Sequence, residues 1–557
     1  MDRDFIGPVC RALSRLGRAL AFWGVMAGYS ATAQMYPPVH AKPLDPSAYE
    51  PLRRTLALLA SSGSTHPVPV RIVFHGQSIT LQYWVVSLVN WLRATYPLAR
   101  IDFHILALHG FSTELLLRTV DSDVVGVYPD LILFQAYGDL SSYAKLIRRI
   151  RAETTADILL QTDHLVLESE KDEVTEPEAL TPAMGGAWKS YGFLPALGRR
   201  TDSAVADVRQ VWHGYLREYG LKVSDLLMDT VHLNFHGDFV LDQALARYLK
   251  PPADLTLVDP FQVDGVRTYQ VGRDILWHED RLELECVGNR IDLVFAQSGE
   301  EDVEVEIDGQ LPSDKEGVVR FLRPSPMASG RLTLVRASSF APLIPEQWTV
   351  RLTESSVDGA RFRFVVTGSV TGEDGEGVNT EFFRSKSGRV VIEPQDWRFA
   401  QMWMSEGIPI TPGMTVTWNA VQRARDRVVP SVGVVTVAQG MADGAHRVVL
   451  KAGSRSRGAL VAVRAYSPGR RSSESQIEGA PLLKLEIIGN PKGSRLRWRG
   501  WFPDFELEDS DGRQWPDREG WHPWKGGIGN DGGSLTAEIP TLEPQRFFRL
   551  RALPAAP

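Results

Sequence analysis

The segment Arg71-Ile72-Val73-Phe74-His75-Gly76-Gln77-Ser78-Ile79-Thr80 is an apolar run that stops on a Gly-x-Ser turn. A short apolar run bounded by glycine reads as a buried strand. An amphipathic helical pattern, Trp84–Leu92, follows at once. A strand turning straight into a helix sets the Ser78 hydroxyl at a helix N-terminus, where backbone N–H groups can hold an oxyanion. The same rhythm continues downstream. Arg71–Phe74, Ile101–Leu108, Asp130–Phe134 and Asp157–Gln161 read as strands. Trp84–Leu92, Thr113–Val120, Tyr143–Arg151, Thr201–Tyr219 and Phe239–Leu249 read as helices. Apolar strands alternating with helices predict an α/β fold with a doubly wound parallel sheet. Such sheets bind ligands at the carboxyl ends of their strands, where Ser78, Gly110, Tyr137-Gly138-Asp139 and Asp163-His164 fall.

A second stretch supplies chemistry for that edge: Asp229-Thr230-Val231-His232-Leu233-Asn234-Phe235-His236-Gly237. An Asp and a His three residues apart can hydrogen-bond within one turn. The carboxylate then fixes the imidazole tautomer and steadies the imidazolium, as an acid–base pair requires. Ser78 is the matching nucleophile.

Taken together, these motifs resemble those of the GDSL/SGNH hydrolase superfamily over about 180 residues, 71–250. "GQSIT" stands where that family has "GDSIT", and "DTVHLNFHGDFVLDQAL" matches its last block, D-x-x-H-x-N-x-x-G. The resemblance implies Ser78 as nucleophile and first oxyanion donor, with Asp229 and His232 as acid and base. It implies Gly110, in "LHGFSTELL", as a second backbone donor. The third block departs from the family: the usual G-x-N-D is Ala136-Tyr137-Gly138-Asp139, without the Asn side-chain donor. Losing one such donor can cost about 100- to 1,000-fold in rate. Gln135 or a backbone N–H, that of Gly138, is left to substitute. Gln beside the nucleophile resembles the "GQSN" acetylesterase branch, which implies carbohydrate deacetylation. Gln77, Gln135, Asp139 and His164, the last with Asp163 beside it, are the candidate substrate contacts. His75 and His236 flank the motifs and are weaker candidates, since a lone His is more often a surface or satisfied core residue. No Cys/His cluster or acidic loop has metal spacing and no Gly-rich phosphate loop is present, so no metal or cofactor is expected.

Composition sets the outer bounds. At 557 residues the chain exceeds one core, and three or four domains are expected. Hydrophobic residues at 43% and charged residues at 23% are ordinary for globular protein. A net charge of −7 gives no support for a nucleic-acid partner. Residues 1–33 read as a signal peptide: Arg3, Arg11, Arg15 and Arg18, then apolar Ala19–Gly28, then the A-x-A site Ala31-Thr32-Ala33. An uncleaved anchor is the alternative. Cleavage before Gln34 removes four Arg and two Asp, taking the charge from −7 to −9. No other apolar run is long enough to span a membrane, so an exported protein is expected, periplasmic, cell-surface or secreted. Cys10 leaves with the signal; Cys286, in an alternating strand pattern, remains without a disulfide partner.

Residues 34–70 form a Pro-rich lead with a short helix near Leu52–Leu59. After Pro251 the period changes to two, as in Arg281-Leu282-Glu283-Leu284 and Arg361-Phe362-Arg363-Phe364. Residues 251–466 therefore read as β-sandwich or jelly-roll, 467–480 as a polar linker and 481–557 as a C-terminal β-sandwich module. That module carries Trp498, Trp501, Trp515, Trp521 and Trp524, which suit a small β core or stacking on sugar rings. The polar linkers suggest modest packing between modules. The whole reads as a secreted serine esterase, with acetylated polysaccharide the first substrate class and lipid or aryl esters the second. The alternative is a non-catalytic glycan-binding or cell-surface protein on an esterase scaffold, favoured by the altered third block.

Overall fold

The computed structural model describes residues 36–61, 68–173, 175, 179–263, 265–325, 332–399 and 410–468, and the backbone of seven strands between 486 and 552. The proposed signal segment lies outside the described residues. Five parallel strands form the first sheet: β1 (Pro69–Gly76), β2 (Arg100–Ile105), β3 (Leu131–Gln135), β4 (Asp157–Gln161) and β5 (Ala204–Ala206). Their order is β2-β1-β3-β4-β5. The chain leaves β1 toward one edge and returns to its other side as β3, so the order reverses beside β1, where such sheets bind ligands.

Alternation along each strand sorts the helices onto two faces. Ile72 and Phe74 face one core with α1 (Arg53–Ala60), α2 (Trp84–Thr95), α6 (Val208–Glu218) and α7 (Phe235–Ala246). Val73, Ile132 and Phe134 face the other, with α3 (Thr113–Val120), α4 (Leu140–Glu153) and α5 (Leu194–Arg200). Each strand is apolar on both sides because both sides are covered. Each fully buried Leu, Ile or Phe contributes roughly 1.5–3 kcal/mol. The expected helix Thr201–Tyr219 is two elements, since Ala204–Ala206 adds β5 to the sheet edge and α6 starts only at Val208. A three-residue edge strand is too short for periodicity to separate from the helix after it. The expected strand Ile101–Leu108 ends at Ile105. Its remainder curls away while Leu106 and Leu108 still donate N–H bonds to Phe74 and Gly76.

Beyond Pro251 the sheets are antiparallel. An eight-stranded sheet is built around the long strands Arg281–Phe295 and Gly433–Ala452. Residues between its strands Val303–Ile307 and Arg427–Val428 form a second, five-stranded sheet, including Glu346–Ser355, Phe362–Gly368 and Thr415–Gln422. The second β unit is thus inserted in sequence within the first. Their cores are separate: Leu282, Leu293, Val305 and Leu450 in one, Trp348, Phe364, Trp397 and Trp418 in the other. Cys286 is buried in the first. The C-terminal strands form a four-stranded and a three-stranded sheet. Trp501, Trp515, Trp521 and Trp524 lie outside the described residues.

The expectation of modest packing across the 251–254 segment does not hold. Tyr128 donates its hydroxyl proton to Asn289 Oδ1 at 2.8 Å, and Asn289 Nδ2 reaches Glu153 O at 3.0 Å. A π-helical turn after α3, Asp121–Val125, carries buried Asp123 to Arg323 of the inserted unit at 3.2 Å. Arg118 of α3 pairs with buried Asp396 at 2.8 Å. Val335 packs into the α3–α4 core. The α/β unit and both β units share buried surface that polar linker composition does not disclose.

Candidate active site

Ser78 opens a single 3-10 turn, Ser78–Leu81, directly after β1. The turn is held from behind by Trp84, whose indole N–H donates to Ile79 O at 2.7 Å. Opposite it, the strand-like bridge between Leu227 and Leu233 closes a loop around Asp229-Thr230-Val231-His232. Asp229 Oδ1 accepts the backbone N–H groups of Val231 at 2.8 Å and His232 at 2.7 Å. Its other oxygen meets His232 Nδ1 at 2.7 Å, and His232 Nε2 lies 2.8 Å from Ser78 Oγ. Nδ1 therefore carries the proton toward Asp229 while Nε2 accepts from the serine. The N–H of His232, then that of Val231, then the imidazole hold the Asp229 carboxyl down to about 2.

Asn234 explains the rest of the motif. It caps α7, its Oδ1 accepting from His236 N at 2.9 Å and Gly237 N at 3.0 Å. Its Nδ2 donates back to Asp225 O at 2.9 Å. At Gly237 a Cβ would stand 2.2 Å from Leu226 O, so only glycine lets the helix start this close to the returning loop. The two halves of the site are also tied directly: Gln82 Nε2 donates to Leu233 O at 2.9 Å, and Leu233 N donates to Gln82 Oε1 at 3.1 Å. Nothing in the sequence singles out Gln82; its role appears only when the two loops meet.

The other candidates fall into distinct places. The amides of Ser78, Gly110 and Gly138 make no hydrogen bond among the described residues. Gly110 sits in the exposed turn after β2 with φ +70°, Gly138 after β3 with φ +132°. A Cβ on Gly138 would stand 2.5 Å from Thr113 Oγ1 and 2.7 Å from Glu114 Oε2. Side chains at the start of α3 thus occupy the space that a larger residue at 138 would need. Gln77 is buried and uses both ends of its amide to join the loops: Nε2 donates to Phe111 O and Tyr137 O, and Oε1 accepts from Tyr137 N at 2.8 Å. Asp139 caps α4 through Ser142 N at 2.7 Å.

Gln135 and His164 lie beneath the site rather than in it. Gln135 donates to Asp163 at 2.8 Å, and Asp163 pairs with buried Lys189 at 2.7 Å. His164 is buried and its Nε2–H donates to Val231 O at 2.8 Å, pinning the acid–base loop. Burial lowers its basicity. Buried and bonded to Tyr137, Asp163 and Val231 O respectively, Gln77, Gln135 and His164 organise the loops around the site, where the sequence suggests substrate contact. His75 is enclosed in β1, its basicity pushed down to about 4 by burial. His236 stacks on Tyr36 and bonds to the Tyr215 hydroxyl at 2.7 Å, away from Ser78. No sequence signal singles out His109, an exposed residue whose ring lies parallel to that of His232, centroids 6.1 Å apart. The same holds for Tyr83 and Phe235, exposed rings in edge-to-face contact between the two motifs.

No family model and no curated protein sequence matches the chain. Solved structures similar to it include the following three. An acetylxylan esterase from Geobacillus stearothermophilus matches at 20% identity over 33% of this chain and 95% of that one, TM-score 0.28. An α/β-hydrolase enzyme from the metagenome of Lake Arreo, Spain, matches at 19% identity over 34% of this chain and 100% of that one, TM-score 0.28. A two-domain esterase active on acetylated mannans, co-crystallised with mannopentaose, matches at 11% identity over 75% of this chain and 97% of that one, TM-score 0.29.

Proposed function

We propose that the chain is a serine hydrolase that cleaves ester bonds through Ser78, His232 and Asp229, and that its substrate is an acetylated carbohydrate. One observation carries the first half: the unbroken run of contacts Ser78 Oγ–His232 Nε2–His232 Nδ1–Asp229, 2.8 and 2.7 Å, at the carboxyl edge of the parallel sheet. Ser78 Oγ attacks the ester carbonyl as its proton passes to His232 Nε2. The carbonyl electrons move onto oxygen, where the N–H groups of Ser78, Gly110 and Gly138 serve as donors. The tetrahedral species collapses, the leaving alkoxide takes the proton from His232, and an acyl-serine remains. Water, deprotonated by His232, repeats the sequence and frees the acid. Asp229 orients the imidazole and balances its transient charge.

The carbohydrate half rests on the likeness of "GQSIT" to the acetylesterase branch and on the exposed Tyr83 and Phe235 rings between the two motifs, surfaces suited to a sugar's apolar face. The rival, a non-catalytic glycan-binding protein, draws on Gly138 in place of a donor Asn. Three unengaged N–H groups and a complete relay favour turnover over it. A fluorophosphonate probe decides between the two: labelling of the wild type and none of Ser78→Ala is the outcome expected of the hydrolase. A wild type inert both to the probe and to acetate esters overturns it.

A further inference from the structure

His109 has no part in the relay just described, yet its ring is parallel to the His232 ring within 10° and only 6.1 Å away, centroid to centroid. It is exposed, precedes Gly110 on the loop after β2, and makes no hydrogen bond among the described residues. The loop that holds it is fixed at both ends. Leu108 N bonds to Gly76 O at 2.9 Å, and buried Phe111 offers its carbonyl to Gln77. An exposed imidazole on so fixed a loop, beside the base and with no hydrogen-bond partner among the described residues, can offer its N–H to a bound molecule.

The chemistry of acyl transfer says which part of that molecule it meets. His232 Nε2 must reach both Ser78 Oγ and, later, the leaving oxygen, within about 3 Å of each. Atoms one or two bonds further along the alcohol are then within reach of a ring whose centroid is 6.1 Å from that of His232. We infer that His109 is a substrate-contacting residue on the alcohol side of the ester, donating a hydrogen bond to the leaving oxygen or to a neighbouring hydroxyl of the sugar. The inference rests on the proposed reading of Ser78 and His232. A good leaving group such as 4-nitrophenolate departs without help. A sugar alkoxide does not, so the contact matters only for the second.

The test is a series of acetate esters with leaving alcohols running from 4-nitrophenol to the hydroxyl of a methyl glycoside, assayed as kcat/KM. For His109→Ala we expect a loss of about five- to ten-fold on the glycoside acetate, the size of one hydrogen bond, and under about two-fold on 4-nitrophenyl acetate. His109→Gln, which keeps an N–H donor, should recover part of the loss on the glycoside ester alone. The aryl ester doubles as the control for folding, because a damaged loop would lower both rates together. Parallel losses along the series, or none, overturn the role of His109 while leaving the relay intact. Wild-type rates in Ser78→Ala would instead overturn the proposed function and this inference with it.

Discussion

Asp229 does two things with its two oxygens. One closes the turn by accepting the N–H groups of Val231 and His232; the other takes the Nδ1 proton of His232. The carboxyl is held down to about 2, below the ordinary aspartate value of 3.8. The sign follows: the folded state releases this proton more readily than the unfolded chain, so the turn's contribution to stability is complete above about pH 4. It is lost as the pH falls through about 2. Ser78→Ala and His232→Ala should each lower kcat by about a thousand-fold or more with little change in melting temperature, since neither side chain is part of a core. Asp229→Asn should keep more activity than either, because it disturbs tautomer and orientation without removing the nucleophile or the base. Steady-state rates on a small acetate ester, with circular dichroism melts, check both statements. The relay was legible in sequence because it uses a fixed i, i+3 spacing and a Gly-x-Ser turn. The loop-joining roles of Gln77, Gln82 and His164 were not, because their partners are backbone atoms on loops distant in sequence.

At the scale of elements, α7 decides where His232 stands. Asn234 caps it and Gly237 lets it pack against Leu226 O, where a Cβ would come within 2.2 Å. Gly237→Ala must push the helix from the loop; we expect a loss of roughly 1–3 kcal/mol and a fall in kcat, read from urea unfolding and the ester assay together. A pH effect belongs to the same helix. Asp238 is buried where α7 meets α2, its carboxyl accepting from the backbone N–H of Trp84, and burial raises it to about 7. The folded state keeps a proton that the unfolded chain releases above 3.8, so this stability is full below that value and lost as pH rises through about 7. Asp238→Asn should match the wild type at pH 4 and melt higher at pH 8; equal melts at both would show that the carboxyl is ionised in the fold. Long elements such as α2 and α4 were legible because several turns of apolar spacing leave no other reading. β5 was not, because three residues carry no period and its strand character comes from β4 beside it.

At the scale of the molecule, the change from period 3.6 to period two at Pro251 marks the start of the β region but says nothing of how it packs. The insertion of one β unit within another, and the ion pairs that tie the inserted one to the α/β unit, depend on partners hundreds of residues apart. This reverses what polar linkers suggest about truncation. A chain ending at Pro251 leaves Asp123 without Arg323, a carboxyl that burial already pushes up to about 6. It also leaves Arg118 without Asp396, and opens the α3–α4 core where Val335 sits. Breaking one buried pair costs about 3–5 kcal/mol against a total stability of about 5–15 kcal/mol. We expect that fragment to lose its cooperative melt and its activity even on 4-nitrophenyl acetate. A chain ending at Pro468 is a different matter. It retains both β units and every contact just named, and the C-terminal strands beyond it pair among themselves. It should hydrolyse the small ester within about two-fold of the full chain and fall behind on insoluble acetylated glycan, where a second point of attachment raises local concentration without touching the chemistry. Equal rates on polymer would remove any binding role from the C-terminal module. Small-ester activity in the Pro251 fragment would show that the buried pairs between the units are dispensable.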